Sequence, residues 1–205
     1  MSKLLFLLKY LRYIFISKTK HSVHSPFVYD LVTNVLNDKS QRQEYPKIRN
    51  LNTSTINSKR LKLIYRIINH FKSENILELG HSEQLNNTIL SHIQLKANMF
   101  YCNIKTNEIS EIKTQNKIQS QSFDFAIYNM QNNEELTLNK FMSQLKHFHN
   151  NSVVVINHIH QSKKMEDLWK KIKTQKEVTI SIDLFFIGLV FFRKEQVKEN
   201  FIIRF

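Results

Sequence analysis

The segment Asn75–Gly80 is the part of the sequence that most restricts the fold. Its residues, Asn-Ile-Leu-Glu-Leu-Gly, form a short apolar run that ends in an acid, a leucine and a glycine, and helical spacing begins soon after it. This order is typical of the first strand and turn of a nucleotide-binding α/β domain. Such turns commonly contain two or three glycines, which let the backbone approach the ligand closely, whereas only Gly80 is present here. The segment therefore predicts the fold class, with a cofactor loop that departs from the usual pattern.

Apolar runs alternate with helical patterns along the rest of the chain. The alternation predicts a mostly parallel sheet covered by helices, because parallel neighbours need a crossover between them. The predicted strands are residues 75–79, 98–102, 123–128 and 152–157, and the predicted helices cover about 84–96, 134–148 and 162–173. Residues 177–183, 184–193 and 201–205 form further apolar runs with no helix between the first two. They predict an antiparallel addition to the edge of the sheet.

Two segments show no sustained period. Residues 103–122 leave room for a short helix and a short or missing strand. Residues 38–57 are polar and contain Pro46, which predicts a connector. We therefore expect an N-terminal helical extension with its connector at 1–57, followed by a Rossmann-like domain at 58–205.

Helix-start signals support two of the helices. Ser25 precedes Pro26, which is the pattern of an N-cap with proline at the first helical position, and Ser162 is placed to cap the last helix. A further helix is predicted from Ser58 to about Phe71. The side chains expected on buried stripes are Leu61, Ile64, Ile68 and Phe71 in one helix and Met165, Leu168, Trp169 and Ile172 in the other.

The N-terminus predicts an amphipathic helix. Lys3, Lys9 and Arg12 interrupt an apolar stripe that has neither the length of a membrane span nor a signal-cleavage site after it. We expect the stripe to pack on its own domain or on a dimer partner, and contact with a membrane surface is the alternative. The stripe consists of Leu4, Leu7, Leu8, Leu11, Ile14 and Phe15.

Composition excludes some functions and leaves others open. The single cysteine, Cys102, excludes an intramolecular disulfide framework and a cysteine zinc site, and it lies in an apolar run where burial is expected. We therefore expect a cytoplasmic location. The net charge of +13 is compatible with nucleic acid or an anionic membrane surface as a partner.

Several strings together resemble a known family, the bacterial class I S-adenosylmethionine-dependent methyltransferases of O-methyltransferase type that carry an N-terminal helical extension. Their order spans nearly the whole chain, and they are specific as a set rather than singly. They are residues 21–30 (His-Ser-Val-His-Ser-Pro-Phe-Val-Tyr-Asp), 75–80, 159–162 with Met165 and Trp169, 183–193, and 203–205.

The resemblance implies S-adenosylmethionine as the cofactor, bound after the first, second and fourth strands. Glu78 and Gly80 match the first motif, and His81 stands where the family has small residues. Asn103 takes the place of the acid that accepts the ribose hydroxyls, and Asn129 lies in the turn after the fourth strand. The resemblance thus assigns these five residues to cofactor binding.

The resemblance also implies a catalytic region after residues 152–157. His158 and His160 are the candidate bases, since imidazole titrates near neutrality. Asn157 and His158 stand where metal-dependent relatives have two acids, so no metal site is expected. Asp124, inside a strand, is expected to be structural.

Two functions remain open from the sequence. One is methyl transfer to an oxygen or nitrogen of a small molecule, helped by His158 or His160. The other is a catalytically inactive protein that keeps the fold as a binding or scaffolding module, with RNA or a membrane surface as a further possible partner. A homo-oligomer formed through the N-terminal helix is compatible with both.

Overall fold

The computed structural model describes residues 3–50, 58–80, 97–102, 109–111, 117–118, 121–129 and 134–205. Within these ranges the strands form one nine-stranded sheet in the order β4-β3-β2-β1-β5-β6-β8-β7-β9. The strands are β1 Asn75–Gly80, β2 Asn98–Cys102, β3 Ile109–Glu111, β4 Lys117–Ile118, β5 Phe123–Asn129, β6 Phe148–Asn157, β7 Ile180–Asp183, β8 Ile187–Phe191 and β9 Glu199–Ile202. The helices are α1 Lys3–Ile16, α2 Pro26–Leu31, α3 Tyr45–Asn50, α4 Ser58–His70, α5 Glu134–Gln144 and α6 Lys163–Thr174.

The centre of the sheet is parallel. β1 pairs in parallel with β2 on one side and with β5 on the other, and β5 pairs in parallel with β6. The strand order therefore reverses beside β1, and proteins of this fold class bind ligands at the carboxyl ends of the strands next to such a reversal. The predicted Rossmann-like α/β fold class is confirmed by this order.

One of the carboxy-terminal strands, β8, runs opposite to both of its neighbours. β8 runs antiparallel to both β6 and β7, as the absence of an intervening helix predicts. β9, however, pairs in parallel with β7. The expectation of an antiparallel addition is therefore correct for β8 and wrong for β9. The connection from β8 to β9 passes the amino-terminal end of β7, so β9 starts at the same end of the sheet as β7.

Helices cover both faces of the sheet. On one face, buried side chains of α2 and α4, such as Val28 and Ile64, share a core with Ile76 of β1. On the other face, Trp169 of α6 and Phe141 of α5 pack with the remaining buried side chains of the strands. The division at residue 57 stays a prediction, and the N-terminal helices share the core of the main sheet.

The two helix caps are confirmed, and so are the buried stripes of α4 and α6 apart from Phe71, which follows α4 and is half-buried. Ser25 accepts a hydrogen bond from the Val28 amide at 3.4 Å, and Ser162 accepts one from the Met165 amide at 3.0 Å. The stripe of α6 is buried as predicted, and Cys102 is buried too. α2 continues into a π-helical turn, Val32–Leu36.

The sequence misplaced some boundaries. α3 lies inside the predicted connector, since Pro46 follows Tyr45 at the start of a helix, where its missing amide costs nothing. α5 ends at Gln144, and β6 begins at Phe148, within the predicted helix. The predicted helix at 84–96 lies outside the described residues.

α1 is helical, but its orientation contradicts the expectation for its stripe. The stripe residues other than Ile14 are exposed, whereas Tyr13 on the opposite side is buried. Packing of the predicted stripe on the chain's own domain is therefore wrong. No helix in the described part of the chain is long and apolar enough to cross a membrane.

Candidate functional site

The parallel strands bring several predicted site residues to one edge of the sheet. β1 ends at Gly80, which is paired with Asn129 at the end of β5. β6 lies next to β5 and ends at Asn157, whose side chain is buried. We call the ends of β1, β5 and β6, together with His158, the carboxyl edge.

Glu78, on β1, is a buried acid close to this edge. It is 2% exposed and lies on the same side of the strand as Ile76, because side chains alternate along a strand. Burial raises the pKa of Glu78 to about 7, since an apolar environment disfavours the carboxylate. Near neutral pH this carboxyl is therefore poised between its two forms, and a bound cation would favour the ionised one.

His158 follows β6 directly and has a left-handed backbone, with φ of 63°. Its amide donates a hydrogen bond to the Phe186 carbonyl at 2.7 Å, which holds the turn against the loop between β7 and β8. Burial, with a smaller contribution from the positive charge of Arg60, lowers the pKa of His158 to about 4. The imidazole is therefore neutral at pH 7.

Arg60 is a residue of this edge that the sequence did not reveal. It lies in the first turn of α4, and its guanidinium carbon is 5.4 Å from the centre of the Phe186 ring. Burial lowers its pKa from the ordinary arginine value. No motif marks Arg60, because its proximity to His158 and Phe186 is set by the tertiary structure.

The imidazole of His160 lies between two carboxylates, away from the carboxyl edge. Its Nε2 lies 2.8 Å from Asp183 Oδ2 and its Nδ1 lies 3.2 Å from Glu166 Oε1, while Lys9 Nζ reaches the same Glu166 oxygen at 2.8 Å. The imidazole ring stacks on Phe185 with 5.1 Å between centroids. We call this cluster of Lys9, Glu166, His160, Asp183 and Phe185 the α1 junction, because it ties α1 to α6 and β7.

The electrostatics of His160 differ accordingly. Burial alone would lower its pKa, but hydrogen bonds and charge from Asp183 and Glu166 outweigh burial, so the pKa is raised. Both ring nitrogens face carboxylates. The catalytic role of His160 stays a prediction, and this geometry favours a structural one.

Asp124 lies at the opposite, amino-terminal edge of the sheet. Its Oδ2 accepts hydrogen bonds from the amides of Glu74 and Asn75 at 2.9 and 2.8 Å. Its Oδ1 lies 2.9 Å from His149 Nε2. The structural role predicted for Asp124 is confirmed.

The remaining predicted positions have less structural support. His81 and Asn103 lie outside the described residues, and Asn129 is placed by its backbone alone. Among the residues that the structure describes, no group of three or more His, Cys, Asp or Glu side chains is arranged to hold a metal ion.

Comparisons with known proteins give structural neighbours. No family model and no curated protein matches the sequence. The methyltransferase PaMTH1 of Podospora anserina, solved with SAH, aligns with a TM-score of 0.49 at 7% identity over 84% of this chain and 98% of its own. The O-methyltransferase TomG of Streptomyces achromogenes, involved in tomaymycin synthesis and solved with SAM, aligns with a TM-score of 0.48 at 12% identity over 81% of this chain and 95% of its own.

The strand order, rather than these alignments, defines the class of fold. A parallel centre with its reversal beside β1 and an antiparallel β8 make this a Rossmann-like α/β protein. The candidate site of such a protein is the carboxyl edge.

Proposed function

We propose that the chain binds S-adenosylmethionine at the carboxyl edge and transfers its methyl group to an oxygen or nitrogen of a small molecule. The observation that carries the proposal is the buried carboxyl of Glu78 on β1, two residues before Gly80 and beside the point where the strand order reverses. The resemblance of residues 75–80 to a methyltransferase motif supplies the identity of the cofactor.

The residues present fit a cationic ligand. S-adenosylmethionine carries a sulfonium and an ammonium group, and it supplies a methyl group attached to a positively charged sulfur. A buried carboxyl with a pKa of about 7 gains a favourable charge interaction when a cation binds near it. Glu78 and Gly80 would hold the cofactor, together with the backbone at Asn129.

His158 is the candidate base for the methyl acceptor. As a neutral imidazole at pH 7 it can accept a hydrogen bond from an acceptor hydroxyl or amine. With its pKa at about 4 it is a weak base, so most of the rate enhancement would come from holding the acceptor and methyl group in line.

A second candidate function is a non-catalytic, ligand-binding form of the same fold. It is favoured by Asn129 and Asn157, which stand where the resemblance implies acidic strand ends. Amides are weaker, uncharged acceptors, so they hold hydroxyl groups less tightly than carboxylates. This candidate predicts binding without turnover.

Calorimetric titration with S-adenosylmethionine and S-adenosylhomocysteine tests both candidates. Ligand that binds only the folded chain stabilises it by about 2.7 kcal/mol at one hundred times the dissociation constant. Because the cation favours ionised Glu78, binding should release a proton below pH 7, and affinity should rise as the pH rises through about 7. Proton release is read from the dependence of the heat on the buffer's ionisation enthalpy.

Two variants separate the site from the fold. Glu78→Gln keeps the shape and should weaken binding about tenfold, or about 1.4 kcal/mol, and abolish the proton release. Asp124→Asn, at the opposite edge of the sheet, should change stability without changing affinity. Absence of binding by the wild-type chain at millimolar ligand would contradict both candidates, and binding without production of S-adenosylhomocysteine would leave the second.

A further inference from the structure

One side of α1 carries large apolar side chains that are exposed to solvent. We call this side the outer face of α1. At about 100° per residue its members lie within about 100° of the helix circumference. They are Leu4, Leu7, Leu8, Leu11 and Phe15, with exposed fractions of 68%, 52%, 54%, 46% and 86%.

The opposite side of α1 is fixed to the domain. The rings of Phe6 and Tyr10 contact Phe185 at centroid distances of 5.2 and 5.0 Å, and the Tyr13 hydroxyl donates to the Ile203 carbonyl. The Lys9 ion pair within the α1 junction adds a charged contact. Rolling the helix to bury its outer face would break all of these contacts, so the outer face is held outward.

Positive charge borders the outer face. Arg12 is exposed on α1, and the first 29 residues contain lysine and arginine but no aspartate or glutamate. Beside Arg12 a cavity of about 480 Å³ separates α1 from α6, and its rim carries basic side chains of α6. The basic α6 side chains that line this cavity are Lys163, Lys170 and Lys173, and Glu166 of α6 is paired with Lys9.

The combination of apolar face and basic border selects one kind of partner. A second copy of the chain would bring the same basic borders together, and each copy has a net charge of +13. A nucleic acid would match the charge but would leave the leucines and Phe15 in water. An anionic lipid surface satisfies both, because acyl chains take the apolar side chains and headgroups take the cations.

We propose that the outer face of α1 docks this protein on the surface of an anionic bilayer. The helix axis lies in the plane of the interface, with Leu4, Leu7, Leu8, Leu11 and Phe15 below the headgroups. Arg12 and the lysines of α6 contact the anionic headgroups from the side. The sheet and its carboxyl edge remain on the aqueous side.

Flotation of the full chain with lipid vesicles tests the proposal. Vesicles of equal parts phosphatidylcholine and phosphatidylglycerol should bind the wild-type chain, and vesicles of phosphatidylcholine alone should bind it far less. Raising the salt concentration should weaken binding without abolishing it, since only the charge contribution is screened.

Variants at exposed positions assign the binding to α1. Leu7→Gln together with Leu11→Gln should lower the partition coefficient at least about tenfold, because both side chains lose their apolar transfer free energy. Val197→Gln is the matched control, since Val197 is 81% exposed and lies outside α1, and it should bind like the wild-type chain. Thermal unfolding of each variant checks that the fold is intact.

Three results would overturn the proposal. The first is no binding of the wild-type chain to the anionic vesicles. The second is equal binding by the wild-type chain and the double leucine variant. The third is a dimer, detected by sedimentation velocity, that the double variant abolishes while vesicle binding is unchanged, since a second copy would then occupy the outer face.

Discussion

Two histidines separated by one residue lie in opposite electrostatic environments. His158, at the carboxyl edge, is neutral at pH 7 because burial and Arg60 lower its pKa to about 4. His160, in the α1 junction, has a raised pKa because the carboxylates of Asp183 and Glu166 outweigh its burial. The comparison separates the region of the proposed ligand site from a region that ties α1 to the rest of the domain.

The difference follows from the charges that surround each histidine. In the α1 junction both nitrogens of His160 lie within 3.2 Å of carboxylate oxygens, so the charged groups neutralise one another. At the carboxyl edge, burial keeps the His158 imidazole neutral and leaves the Glu78 carboxyl divided between its two forms near pH 7. A ligand that brings charge therefore gains more at the carboxyl edge than in the α1 junction.

The largest expected effect comes from breaking the α1 junction at Asp183. This side chain is 6% exposed, faces His160 and accepts a hydrogen bond from the Phe185 amide at 2.8 Å. Asp183→Ala removes the carboxylate that faces the His160 imidazole and accepts from the Phe185 amide. This loss should lower the free energy of unfolding by roughly 3–5 kcal/mol, measured by urea denaturation. The exposed variant Asp167→Asn should show no measurable change, and a loss below about 1 kcal/mol in Asp183→Ala would show that the junction is not what secures α1.

The pH dependence of stability should sharpen the contrast between the two histidines. His158, whose pKa is lowered to about 4, contributes stability above the unfolded pKa of about 6.5, and that contribution is lost as the pH falls towards 4. The loss should reach at most roughly 3 kcal/mol. His160, whose pKa is raised, contributes stability below about 6.5 that is lost as the pH rises through its folded value.

Two glutamine variants assign these opposite slopes. Denaturation between pH 4 and 9 should show a flatter acid limb for His158→Gln and a flatter limb above pH 6.5 for His160→Gln. Both variants having the same pH profile as the wild-type chain would contradict the assigned environments.

A smaller effect is expected where α6 packs on the sheet beside the α1 junction. A Cβ added to Gly188 in β8 would lie 2.6 Å from the Trp169 ring, which is closer than the contact distance of two carbon atoms that are not bonded to each other. Gly188→Ala should therefore cost about 1–3 kcal/mol in urea denaturation through overpacking. Adding Trp169→Leu removes the obstructing ring, so the alanine should cost less in that background than in the wild-type chain, and equal costs would exclude the ring contact as the cause.

The sequence was sufficient for the fold class because strand runs and helical stripes are local patterns. The alternation around Asn75–Gly80 predicted the parallel centre, and hydrophobic spacing with Ser162 predicted α6 and its buried side. The convergence of Gly80, Asn129 and Asn157 at one edge followed from strand polarity. These inferences need no knowledge of which elements meet.

The sequence was not sufficient where one local pattern is compatible with two different tertiary environments. His158 and His160 both follow β6, and only the packing of α4, α6 and β7 gives one an arginine and the other two carboxylates. The antiparallel pairing on β2 and the parallel pairing of β9 likewise depend on how distant segments meet.

Residues 75–80 thus predicted a ligand-binding α/β sheet from local pattern alone, and α1 shows what local pattern leaves undecided. Helical periodicity identified the leucine stripe, but α1 also carries Phe6, Tyr10 and Tyr13 on its other side. In the tertiary structure that aromatic side faces the domain, because it packs against the rings of Phe185 and Phe186. Periodicity determines which residues share a face of a helix, whereas the surface available for packing determines which face is buried.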